Sequence, residues 1–136
     1  MKYYAVIDTN VLVSAMLKWE SVPGSVLLEA LTGKIIPLLN KEIILEYRTV
    51  LSRPKFHFPL EAVEIFLEGF VKRGLFVDAE SIEEILPDPK DVVFYEVVME
   101  MRKSKDAYLV TGNQKHFPSK TFIVTPREML DIISRQ

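Results

Sequence analysis

The sequence predicts an α/β protein, a three-layer α/β/α sandwich around a central, mainly parallel sheet. Short apolar, β-prone runs alternate with helices or helix pairs along nearly the whole chain, and such alternation builds a parallel sheet covered on both faces. Crossover connections of this kind are right-handed, which leaves an open sandwich as the architecture. There is no internal repeat, low-complexity tract or linker-like stretch, so residues 1–136 read as one domain.

In chain order, residues 3–7, "YYAVI", are apolar without clear alternation, as a central strand buried on both faces should be. Residues 11–17 look helical, and a second helix follows "SVPG" over residues 26–31 and stops at Gly33. Residues 35–39 form a second strand. Asn40 then caps "KEIILEYRTVL", where Ile43, Ile44, Tyr47, Val50 and Leu51 follow the 3.6-residue period. "SRPKFHFP" breaks that helix, and residues 60–72 resume one up to Gly74. Residues 75–77 give a third strand, and "LPDPKD" is a turn rich in proline and aspartate. Residues 91–101 are helical, while 107–111 and 122–124 are strands. Thr125, Pro126, Arg127 and Glu128 form a capping box with proline at the first helical position, so the last helix starts there.

A chain of 136 residues buries roughly two-thirds of its unfolded surface. Hydrophobic residues at 49% and charged residues at 26% describe a globular protein rather than a disordered one. No apolar run approaches the roughly 20 residues that span a bilayer, and "MKYYAVID" reads as a strand rather than a signal peptide. The expected location is therefore the cytoplasm, away from membranes. The absence of cysteine excludes a disulfide framework and a thiolate metal site. A net charge of −2 argues against a protein that coats nucleic acid nonspecifically, and less against an enzyme that holds a few phosphates through a metal ion. Two stretches are locally basic, one with Arg48, Arg53 and Lys55, the other with Arg102, Lys103 and Lys105.

In open parallel sheets, ligands bind beyond the carboxyl ends of the strands, where strand order reverses. Asp8 ends the first strand, followed by the polar Thr9 and Asn10. Thr111, Gly112 and Asn113 end "AYLVTGN", and Asp88 and Asp91 open the helix that leads into that strand. These groups converge on one rim if the first and fourth strands are neighbours. Glu46 borders the apolar face of its helix, a costly place for a carboxylate without an edge or a cation. Two to four carboxylates plus water suit Mg²⁺ or Mn²⁺, which favour hard oxygen ligands. Each residue also has a plainer explanation. Asp8 or Asn10 caps a helix, Glu46 pairs with Arg48 or Lys41, Asp88 is a turn residue, Asp91 an N-cap, and Thr111 and Asn113 are loop residues. His57 and His116 are far apart and form no zinc motif, and there is no Gly-rich phosphate loop or nucleophile elbow.

Four segments in order, "VIDTNVLVSA", "EIILEYRTVL", "LPDPKDVVF" and "DAYLVTGNQKHFP", together resemble the PIN-domain family of nucleases. The likeness spans about residues 3–129 and is greatest to the VapC-like toxin components of prokaryotic toxin–antitoxin pairs. It implies an α/β/α sandwich and a Mg²⁺- or Mn²⁺-dependent endoribonuclease site. Asp8, Glu46 and Asp91 match the family's acidic residues as metal ligands and catalytic groups, with Asp88 assisting. Asn10 and Thr111 match polar positions that orient the acids or a metal-bound water. The implied reaction is attack of a metal-activated water on an RNA phosphodiester. Independently of the resemblance, the basic stretch offers Arg48, Arg53 and Lys55 to hold flanking phosphates. The implied partners are RNA and a small antitoxin protein, and the apolar share of 49% separately suggests a homodimer or a partner-covered surface.

One position departs from the family. Asn113 stands where many PIN domains carry an aspartate after "TG", and an asparagine offers a carbonyl oxygen without charge. That weakens the case for a second tightly held metal. Two other functions stay in view. A haloacid-dehalogenase-like phosphatase, with Asp8 as nucleophile, needs a second aspartate two positions on, where Asn10 stands. A non-catalytic RNA- or protein-binding PIN module predicts binding without cleavage.

Overall fold

The computed structural model describes residues 1–83 and 85–135. Strand β1 (Tyr3–Ile7) runs directly into helix α1 (Thr9–Leu17). Ala5, Val6 and Ile7 are all fully buried, although successive side chains point to opposite faces, so helices cover both sides of β1.

Helix α2 (Val22–Leu31) begins earlier than the apolar period alone places it. The Ser21 hydroxyl accepts from the Gly24 N–H at 3.1 Å, and Pro23 lies in the first turn. Position 24 has to be glycine, because a Cβ there would lie 1.8 Å from the Trp19 carbonyl oxygen. Gly33, at φ +95°, ends the excursion in the left-handed region and leads to β2 (Ile35–Leu39). Asn40 Oδ1 then accepts from the Ile43 N–H at 2.8 Å to start α3 (Lys41–Leu51), which buries Ile43, Tyr47 and Leu51.

A 3₁₀ turn (Pro54–Phe56) separates α3 from α4 (Leu60–Arg73). Strand β3 (Leu75–Phe76) follows, shorter than expected, with the Val77 N–H still bonded to the Leu39 carbonyl at 2.9 Å. A second 3₁₀ turn (Pro89–Asp91) opens α5 (Val92–Met101), which feeds β4 (Ala107–Val110). A third (Gln114–His116) leads to β5 (Ile123–Val124) and α6 (Pro126–Ser134). The capping box of α6 is complete: the Thr125 N–H donates to Glu128 Oε1 at 2.9 Å, and the Glu128 N–H donates to Thr125 Oγ1 at 3.1 Å.

Among the described residues the strands form one parallel sheet in the order β3-β2-β1-β4-β5. Helix α5 packs on β1, β2 and β4, while α2 and α4 pack against β2. The fold is thus the α/β sandwich that the alternation predicts. Tyr47, Phe70, Phe94 and Tyr95 are its largest fully buried side chains. Each large apolar group contributes roughly 1.5–3 kcal/mol through burial. Among the described residues no single helix is long and apolar enough to cross a membrane. After β1 the chain moves outward through β2 and β3, then returns to lay β4 on the other side. Strand order therefore reverses between β1 and β4.

Candidate active site

Ile7 lies opposite Val110 in the sheet, so Asp8 and Thr111 leave the reversal point side by side. The Asp8 N–H donates to the Val110 carbonyl at 2.9 Å, which fixes the backbone there. Asp8 occupies the N-cap position of α1, yet its side chain makes no capping hydrogen bond. It faces Thr111 instead, whose hydroxyl donates to Asp8 Oδ2 at 2.8 Å. Asn10 Nδ2 approaches the same oxygen at 3.4 Å, while Asn10 Oδ1 accepts from the Gly112 N–H at 3.1 Å. The Asn113 N–H donates in turn to Thr111 Oγ1 at 3.0 Å. The first turn of α1 and the loop after β4 are cross-tied around one carboxylate.

Asp91 arrives from the turn "DPKD". Asp88 Oδ1 accepts from the Lys90 N–H and the Asp88 carbonyl from the Asp91 N–H, each at 3.0 Å, so Asp88 shapes the turn through its own side chain. Asp91 sits at the N-cap of α5 and, like Asp8, makes no capping hydrogen bond. Its Oδ2 is buried without a well-directed hydrogen bond, although His116 Nδ1 stands 3.2 Å away. Asn113 Nδ2 lies 2.9 Å from His116 Nε2, so Asn113 reaches Asp91 through the imidazole.

Glu46 comes from α3. Its neighbour Tyr47 points into the core, where the phenol donates to the Ile7 carbonyl and ties α3 to the end of β1. Glu46 is left facing a cleft of about 210 Å³ that Asp8, Asp88 and Asp91 also line. Arg53 and Lys90 line it too, so four carboxylates meet two cations.

Electrostatics follow from this crowding. Burial raises the Asp8 pKa above the usual carboxylate range, and the charge on Glu46 adds to the rise. The Thr111 hydroxyl, the nearby Thr9 N–H and His116 oppose it. Asp91 is pushed up to about 6, first by burial and then by the charges of Asp8 and Asp88, with His116 pulling the other way. Burial, helped by the charge on Asp8, holds the Tyr47 phenol well above its ordinary value, so it stays a neutral donor. Carboxylates held this way are under-compensated, and a cation relieves them.

A divalent cation fits the groups present. The donors are hard oxygens, and Asp91 and Thr9, two residues that line the cleft, each hold a buried oxygen, Oδ2 and Oγ1, without a well-directed hydrogen bond. Among the described residues, however, no three His, Cys, Asp or Glu side chains already converge as a closed metal cage. The acids line a common cleft rather than a finished coordination shell.

The expected phosphate-binding cations separate. Arg53 lines the cleft, but Arg48 is turned to the outer surface, where its Nε and Nη2 donate to Glu64 at 2.7 and 3.3 Å. That same bond removes Arg48 as a partner for Glu46. Lys55 places its ammonium 5.1 Å from the centre of the Phe56 ring. Sequence reasoning missed two groups. Lys90 carried a usable signal, since it stands between Asp88 and Asp91. His116 carried none, because its approach to Asp91 depends on how the turn after β4 folds back.

A family model described as PIN domain matches residues 4–115. No curated protein and no solved structure matches the chain. The matched span holds Asp8, Glu46, Asp88, Asp91, Thr111 and Asn113, and it covers well over half of the sequence. On that match, and with the parallel sheet and its acidic rim, the chain belongs to the PIN-domain family.

Proposed function

We propose that this protein is a Mg²⁺- or Mn²⁺-dependent endoribonuclease and the VapC-like toxin of a toxin–antitoxin pair. One observation carries the nuclease reading: acidic side chains from the end of β1, from α3 and from the turn before α5 line one cleft where strand order reverses, and the only group within reach of the buried Asp91 Oδ2 among the described contacts is the His116 imidazole. PIN domains are generally nucleases, which agrees with this chemistry. Asp8, Asp91 and Glu46 would hold the cation, which when bound acidifies a water and neutralises charge on a phosphodiester oxygen.

The remaining steps belong to the chain itself. Thr111 and Asn10 fix the orientation of Asp8, and His116 limits the swing of Asp91. Asp88 sets the turn that presents Asp91. Arg53 and Lys90 hold phosphates that flank the cleaved bond, positioning the strand without reading its sequence. The toxin role rests on the likeness of the four motifs to VapC-like chains. It implies a small antitoxin as partner; the apolar share of 49% favours a homodimer as the working form, and the cytoplasm is the proposed location.

The test is RNA cleavage by the purified chain with Mg²⁺, with Mn²⁺ and with chelator. Cleavage should require metal, and Asp8→Asn should lower it at least about 100-fold while the folded state persists. Equal turnover in chelator, or by a folded Asp8→Asn variant, rejects the reading. Growth arrest on expression, relieved by the product of an adjacent reading frame, tests the toxin role separately.

A further inference from the structure

We propose that the groove between α3 and α5, beside the acidic cleft, binds an unpaired nucleobase of the RNA strand, guanine in preference to uracil. This rests on the nuclease reading and deepens it by naming the form of RNA and the residues that select it. The groove is about 530 Å³, within the range of roughly 300–1,000 Å³ that small-ligand sites occupy. It is continuous with the cleft, since Glu46, Arg53 and Lys90 line both.

Chemistry changes along the groove in the order that a nucleotide would require. Arg53 and Lys90 stand at the junction with the catalytic acids, where a phosphate next to the scissile bond would lie. Leu45, Val92 and Val93 line the groove with apolar surface, and Leu45 is 62% exposed, an unpartnered leucine beside a charged site. Glu42 lies one helical turn from Glu46 on α3, and Glu96 one turn from Val92 on α5, so both carboxylates stand about 5–6 Å further along. Glu96 is held in place, because its Oε2 accepts from the Ile82 N–H at 3.1 Å.

An ionised carboxylate only accepts hydrogen bonds, so these glutamates select a base edge rich in N–H groups. Guanine offers its ring N–H and its exocyclic amine on one edge. Uracil offers a single N–H between two carbonyl oxygens, which the carboxylates repel. In a duplex those N–H groups are already paired, so the groove selects single-stranded RNA with its base turned out.

Binding can be read apart from cleavage by methyl NMR on the full chain in chelator, titrated with the dinucleotides GpU and UpU. GpU should shift the methyl resonances of Leu45, Val92 and Val93 and bind about tenfold more tightly than UpU. Glu96→Gln keeps an oxygen for the Ile82 N–H but loses the charge, and it should cut that preference at least about threefold. Glu42→Gln, on an exposed position, should act in the same direction without risk to the fold. Unmoved Leu45, Val92 and Val93 methyls would overturn the proposal, and so would equal affinity for the two dinucleotides. Displacement of GpU by an arginine-rich peptide but not by other oligonucleotides would instead make the groove a protein-docking site. Loss of cleavage with the methyl response intact would remove the nuclease reading and leave the base site standing.

Discussion

Thr111 does two jobs with one hydroxyl: its proton goes to Asp8 Oδ2, and its lone pair accepts from the Asn113 N–H. Thr111→Val keeps the shape and removes both bonds inside a fully buried site. It should cost about 1–3 kcal/mol, the usual penalty for stranding buried polar groups. Thr111→Ser, which keeps the hydroxyl, should cost under about 1 kcal/mol. Urea unfolding of the two variants distinguishes them, and a valine variant as stable as the parent removes the role. At this scale the sequence was legible wherever a polar side chain interrupted an apolar run. Asp8 at the end of β1 and Glu46 beside Ile43 and Tyr47 announce themselves in that way. The outward placement of Arg48 is legible in the helix phase as well. Two residues along a helix turn a side chain by about 200°, so Arg48 and Glu46 cannot share a face. The contact of His116 with Asp91 was not legible, because it is made by tertiary folding of a short turn.

Helix α3 is held to the sheet by the bond from Tyr47 to the Ile7 carbonyl, one residue before Asp8. The ring packs edge-on to Phe70 at 5.9 Å and lies 6.2 Å from Phe94. Tyr47→Phe preserves that packing and removes the tether, so the effect isolates the position of α3 relative to β1. Stability should fall by about 1–2 kcal/mol as a buried carbonyl loses its donor. If Glu46 acts with Asp8, kcat should fall roughly tenfold with little change in KM, since the site loses alignment rather than substrate contacts. A fall in stability with kcat unchanged separates the tether from the chemistry. Elements were easier to foresee than their ends. The 3.6-residue period marked α3, and Asn40 marked its first residue. The start of α2 was hidden because Ser21 and Pro23 set it, while the apolar pattern only becomes clear from Val26. Strand β3 was overestimated by one residue because Val77 is apolar and still donates its N–H to the Leu39 carbonyl, while the paired register ends at Phe76.

For the whole molecule, the acidic cleft sets a conflict between folding and function that pH and metal should expose. Asp8 and Asp91 both have folded pKa values above the ordinary range, so the fold binds their protons more tightly than the unfolded chain does. Stability from such groups is complete below about pH 4 and is lost as pH rises through the folded value, about 6 for Asp91. Asp91→Asn holds a neutral, equal-sized side chain at every pH. In chelator it should melt close to the parent near pH 4.5 and above it at pH 7.5. The gap should be on the order of 2 kcal/mol, or roughly 7 °C in Tm for a chain of this size. Saturating Mn²⁺ should reverse the order at pH 7.5. The parent then gains about 2.7 kcal/mol at a metal concentration 100 times its Kd, and the variant has lost a ligand. At pH 4.5 the metal should have little effect on either protein, because protons compete for the same oxygens. Thermal melts of both proteins at the two pH values, each with chelator and with Mn²⁺, make the full comparison. A variant that stays below the parent at pH 7.5 in chelator would show that Asp91 is not strained in the fold. Identical ranking with and without Mn²⁺ would remove Asp91 from the metal site.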